Sequence, residues 1–263
     1  MTIRSLLGYL SAVLFLAVPA SAAFADPPLA GTYHAEGKTA DGRAYGGRVG
    51  IEQNGKGVRL AWILDAGDGY RGVGLQVDNV LGGAYWSENE RFNGPGVAVY
   101  RIEGGKLHGN WLAYGGPEGL VGREELSGPD SLEGRFEITL GENPDGASSY
   151  HGHVNIKRRG DTFLFHWYAP GSSYIGNGIR IGDVMVVGYA QGRAPGTIAY
   201  CIREGSLDGV WAYGSDARLG RETLRRQSDA SAVDGSGADC RGTAAMQWRP
   251  NLSNQAARNI APQ

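Results

Sequence analysis

Residues 41 to 126 are restated by residues 145 to 224. Tyr45, Gly47, Val49, Ile51 and Trp62 recur as Tyr150, Gly152, Val154, Ile156 and Trp167. Tyr70, Gly72 and Gly74 recur as Tyr174, Gly176 and Gly178. Tyr85, Tyr100, Ile102, Gly105, Leu107, Gly109 and Trp111 recur as Tyr189, Tyr200, Ile202, Gly205, Leu207, Gly209 and Trp211, and Gly122-Arg123-Glu124 with Leu126 recurs as Gly220-Arg221-Glu222 with Leu224. The offset is 105 positions from Tyr45 to Tyr150 and 98 from Glu124 to Glu222, and it changes only between the matched blocks. A duplicated unit of this length has the size of a domain rather than of a solenoid repeat.

Within each copy, apolar and aromatic residues alternate with a period of two, the signature of half-buried strands. Tyr150, Gly152, Val154 and Ile156 share one face; Phe163, Phe165 and Trp167 make the next, and Met185, Val187 and Tyr189 another. Ile198, Tyr200 and Ile202 follow, then Leu207, Gly209 and Trp211. Turn pairs such as Asp145-Gly146, Pro170-Gly171 and Glu204-Gly205 separate these runs. The 44 glycines are spread among tyrosines and tryptophans, as in an all-β domain with tight turns. About eight strands per copy, joined by short links, predict an antiparallel meander, and closing it removes both exposed edges. The expected fold is all-β: two tandem barrels of about eight short strands, one over residues 29–127 and one over 132–227, with Ser127 to Ser131 as the linker.

The ends read differently. Arg4, the apolar stretch Leu6 to Val18 and Ala23-Phe24-Ala25 form an export signal over residues 1–25, which places the mature chain in the periplasm or outside the cell. No further stretch is long and apolar enough to span a membrane once the signal is cleaved. Residues 228–263, rich in Ala, Ser, Gly and Asn, read as a flexible extension. Removing Arg4 with the signal leaves 24 basic residues of 25 against 27 acidic ones, without the basic stripe a nucleic-acid partner requires. The two cysteines, Cys201 and Cys240, read as a disulfide in an exported chain. Alternation points Cys201 outward, so the bond would strap the tail, with Trp248, across the outside of the second barrel.

Several motifs compete for a function. Gly67-Asp68-Gly69-Tyr70-Arg71-Gly72 has the spelling of a dinucleotide fingerprint, but a strand follows where a helix is needed. His151 and His153 share one strand face without a third ligand nearby and read as solvent-facing. No cofactor and no metal is called for. Glu124 and Glu222 fall between inward positions, where a carboxylate needs hydrogen-bond donors or stays protonated. They are expected to be buried and bonded to Tyr, Trp or turn amides. Tyr45, Trp62, Trp111, Tyr150, Trp167 and Trp211, with Glu124 and Glu222, are the candidate ligand-binding residues, since core aromatics and an aromatic-lined pocket give the same pattern.

The string Asp145-Gly146, Tyr150-x-Gly152, a strand ending at Trp167, Tyr174-x-Gly176-x-Gly178, Leu207-x-Gly209-x-Trp211 and Gly220-x-Glu222-x-Leu224 resembles short exported proteobacterial proteins often labelled fibronectin-binding. Those proteins are single units, and this chain is similar to two of them in tandem. The resemblance implies an exported, non-catalytic binding or envelope-associated module with a protein or surface ligand. The strand pattern is also similar to avidin-like and calycin barrels by analogy. The alternatives are a small-ligand carrier barrel, or a hydrolase with a carboxylate at each barrel mouth.

Overall fold

The structure, a computed structural model, describes residues 29–116 and 119–227. The export signal, Cys240, Trp248 and the C-terminal extension lie outside the described residues. Sixteen strands and no helix make up the described chain. The first copy holds β1 (Gly31–Lys38), β2 (Ala44–Asn54), β3 (Gly57–Leu64), β4 (Gly69–Val77), β5 (Val80–Ser87), β6 (Asn93–Glu103), β7 (Lys106–Ala113) and β8 (Gly122–Ser127). The second holds β9 (Gly134–Glu142), β10 (His153–Arg159), β11 (Thr162–Ala169), β12 (Ser172–Ile181), β13 (Val184–Gln191), β14 (Gly196–Arg203), β15 (Ser206–Ala212) and β16 (Gly220–Arg226).

These strands close into two antiparallel barrels of eight, as the alternation predicts, but the barrels do not coincide with the copies. One barrel runs β1-β16-β15-β14-β5-β4-β3-β2, and the other runs β10-β11-β12-β13-β6-β7-β8-β9. The boundaries 29–127 and 132–227 are therefore corrected. The second barrel is the continuous segment 93–191, inserted between β5 and β14, and the first is assembled from the flanking segments 31–87 and 196–226. Ser127 to Ser131 is a turn within the second barrel and not a linker between domains.

The exchange follows from the duplication itself. β6 and β14 are equivalent strands, so the edge of β5 accepts either. It takes β14, with Tyr85 opposite Gly196 and Gly82 opposite Ala199, while β13 takes β6, with Met185 opposite Tyr100. The outward faces of the exchanged region then pack between the barrels. Val73, Val97, Val99, Ile179, Val184, Val186 and Ala199 form a third apolar cluster there. Strands with both faces covered read as continuous apolar runs rather than alternating ones. The runs Val184-Met185-Val186-Val187 and Val97-Ala98-Val99 are of that kind, and all these side chains are buried.

Each barrel is filled at one end. Tyr33, Ile51, Leu81, Ile202, Leu207 and Leu224 pack inside the first, and Leu107, Leu126, Leu132, Phe136, Phe163 and Met185 inside the second. The inward faces assigned from alternation agree with these clusters. Cys201 does point out of its own barrel, but that barrel is the first, and the side chain enters the cluster between the barrels at 8% exposure.

Candidate functional site

A single row of residues across five neighbouring strands sets the floor of each open end. In the first barrel the row is Tyr200, Gly209, Glu222, Gly37 and Tyr45, on β14, β15, β16, β1 and β2. In the second it is Tyr100, Gly109, Glu124, Gly141 and Tyr150, the last just ahead of β10. The glycines are what let the rings lie down. A Cβ at Gly109 would stand 2.3 Å from the Tyr100 ring, and one at Gly37 would stand 2.1 Å from Tyr45. Each tyrosine therefore crosses a strand without a side chain and reaches the glutamate beyond it.

The carboxylates are saturated in the same way in both barrels. Glu222 Oε2 accepts from the Tyr45 hydroxyl at 3.0 Å, and Oε1 accepts from Trp62 Nε1 at 3.1 Å and from the Tyr200 hydroxyl. Glu124 Oε2 accepts from the Tyr150 hydroxyl at 2.9 Å, and Oε1 from Trp167 Nε1 at 3.0 Å and the Tyr100 hydroxyl at 2.5 Å. Glu124 is 3% exposed and Glu222 is 4%. Burial raises both carboxyl pKa values, and the three donors offset part of that rise. Burial and the neighbouring carboxylate also push the Tyr45 and Tyr150 hydroxyls far up, so they stay protonated as donors.

Two residues further along, Gly122 and Gly220 seat the tryptophans. A Cβ at either would stand 2.3 Å from the ring of Trp111 or Trp211, its cross-strand partner. The duplicated Gly-Arg-Glu motif thus has a spatial meaning: the glycine gives room to a tryptophan and the glutamate anchors three rings. The arginine between them points outward and is exposed.

Above the floors the interiors are open. The first barrel holds a cavity of about 1030 Å³ and the second one of about 480 Å³. Tyr45, Trp62, Trp211 and Glu222 line the first, and Trp111, Glu124, Tyr150 and Trp167 the second. The structure thus brings all eight sequence candidates to two cavities, four to each. Tyr70, Tyr85 and Tyr213 complete the first wall, with Tyr85 within 6.4 Å of Trp62, Tyr70, Trp211 and Tyr213, ring centre to ring centre. Tyr174 and Tyr189 complete the second. The tyrosine pairs Tyr70/Tyr174 and Tyr85/Tyr189 recur in the duplication, which was the available signal for adding them to the site.

The remaining motifs fall elsewhere. Gly67 and Asp68 end the turn that follows β3, and Gly69 and Tyr70 begin β4, so the motif runs into a strand and not a helix. His153 stacks on Tyr168 with ring centres 4.8 Å apart, and among the described residues no three His, Cys, Asp or Glu side chains converge on a metal position. No family model, curated protein or solved structure matches the chain.

Proposed function

We propose that this protein is an exported, non-catalytic binding module that holds a small, largely apolar ligand in the aromatic mouth of each barrel. The observation that carries this reading is the half-filled interior. One end of each barrel is packed solid, while the other keeps a ring-lined cavity of the size range typical of small-molecule sites. A purely structural barrel would fill both ends, since an eight-stranded interior is narrow enough for side chains alone to occupy it.

The glutamates support binding over hydrolysis. Each already accepts three hydrogen bonds from rings that define the floor, so its role is to hold those rings still. A two-carboxylate hydrolase needs a second acid within about 10 Å of the first. Among the described residues Glu124 is the only acid lining the second cavity. The lining of the first also holds Asp41, Asp65, Asp68, Glu90 and Asp216, so there the case against hydrolysis rests on the three ring donors that saturate Glu222. The export signal over residues 1–25 and a Cys201–Cys240 bond belong to the same reading: a periplasmic or secreted protein whose tail is tethered beside the first barrel.

Titration with N-phenyl-1-naphthylamine, a neutral dye that fluoresces in apolar cavities, tests the proposal. Saturable enhancement is expected, reduced when Trp211 and Trp111 are replaced by Ala in a variant whose circular dichroism matches the parent. Absence of enhancement on the folded parent protein would overturn it.

A further inference from the structure

The two cavities share their rings and differ in their charge. Around the first opening lie Asp65, Asp68, Glu90 and Asp216, with Asp41 and Arg43 bonded to each other at 3.1 Å. Glu90 is bonded to Arg193 at 3.0 Å. Among the described residues Asp65, Asp68 and Asp216 form no ion pair, and Arg218 is the one other cation lining that rim. The duplication provides an internal control. Three residues past the strand tryptophan, Asp65 is matched by Pro170; two before the strand tyrosine, Asp68 is matched by Ser172; five past the mouth tryptophan, Asp216 is matched by Gly116. These three unpaired acids of the first mouth are thus all replaced by uncharged residues in the second.

These acids act on the rings of the cavity wall. Burial raises the Tyr85 hydroxyl first, and Glu222 and Asp216 raise it further; burial raises Tyr70, with Asp68 and Glu90 adding to it. At Tyr189, the counterpart of Tyr85, the only acid that contributes is the floor glutamate, Glu124. A wall of tyrosine and tryptophan faces beneath a ring of carboxylates is the environment that attracts an ammonium group with apolar substituents, because ring faces carry negative charge density. The stretch Gly67-Asp68-Gly69-Tyr70, from the turn into β4, supplies one acid and one ring to it, which accounts for the motif without a nucleotide.

Building on the binding role proposed above, we propose that the first cavity takes an organic cation, a quaternary or protonated ammonium with apolar arms, and that the second takes an uncharged ligand. Glu222 need not be ionised for this, since the ring faces and the rim carboxylates already favour positive charge. A cation would enter past Asp68 and Asp216 and settle against Tyr85, Trp62 and Trp211.

Calorimetric titration of the full chain with choline, and separately with its neutral carbon isostere 3,3-dimethylbutan-1-ol, reads the preference directly. Choline is expected to bind at one site per chain, about tenfold more tightly than the isostere, with affinity that falls as salt is added. The double variant Asp68→Asn with Asp216→Asn is expected to shrink that ratio severalfold while remaining folded, both side chains being exposed. Equal affinities, tighter binding of the isostere, or no choline binding by a protein that still takes up N-phenyl-1-naphthylamine would overturn the cation site and leave the binding role standing. A folded protein that takes up neither choline nor the dye would overturn both.

Discussion

The Tyr45 hydroxyl donates to Glu222 Oε2 at 3.0 Å although the two residues are 177 positions apart. The equivalent bond in the other barrel, Tyr150 to Glu124, spans 26 positions. Identical local geometry at such different separations arises because the second barrel is one continuous segment, whereas the first is closed by the two ends of the described chain. The first barrel therefore cannot close until the segment between β5 and β14 has been laid down. Its floor depends on contacts that no single copy contains.

Replacing Glu222 or Glu124 with Ala leaves two tyrosine hydroxyls and an indole N–H facing a void. Unsatisfied buried groups cost about 1–3 kcal/mol each, lessened where water enters from the mouth. Denaturant unfolding of either variant should show a loss of at least about 1 kcal/mol. Midpoints equal to the parent's would remove the anchoring role from the glutamates.

Both glutamates carry pKa values raised by burial, which fixes the sign of their pH dependence. The folded state holds their protons more tightly than the unfolded chain does, so their contribution favours folding below the ordinary carboxylate pKa. It is lost as pH climbs through the raised folded value. Over that window the parent's melting temperature should fall with rising pH more steeply than that of the Glu124→Gln, Glu222→Gln double variant. Parallel melting curves would count against burial as the dominant cause.

Gly220→Ala puts a methyl group 2.3 Å from the Trp211 ring. The ring has to swing toward the mouth, and overpacking of this kind costs about 1–3 kcal/mol. A lowered melting temperature together with weaker uptake of a neutral dye is expected. An unchanged melt would show that Trp211 is free to move.

The tail should be tied to the first barrel through Cys201 and Cys240. Closing a loop of about 40 residues is worth about 3–4 kcal/mol in the chain-entropy account when the tail is ordered. A non-reduced digest analysed by mass spectrometry should contain the Cys201–Cys240 peptide pair. Free thiols at both positions, or a bond between two chains, would contradict the strap.

Strand number, facing and the burial of Glu124 and Glu222 were legible in the sequence because alternation depends only on neighbours along the chain. So were the eight mouth residues, since duplication displayed each of them twice. The strand exchange was not legible. β6 and β14 carry the same pattern, as Tyr100 and Tyr200 attest, and no local feature says which of them β5 will take. The one trace was the loss of alternation at Val184 to Val187 and Val97 to Val99, where both faces are covered. Gly37 and Gly141 carry no signal in the sequence because their value lies in a ring that arrives from the neighbouring strand.

Double-mutant cycles at Glu222 test the interleaved architecture most directly, since the whole site rests on which half of the chain supplies its rings. Glu222→Gln combined with Tyr45→Phe removes a bond present only if β16 closes against β1 and β2; Glu222→Gln combined with Tyr150→Phe removes a bond present only if each copy forms its own barrel. Unfolding free energies should give a coupling of at least about 0.5 kcal/mol for the Tyr45 pair and additivity for the Tyr150 pair. Coupling to Tyr150 with additivity at Tyr45 would contradict the account.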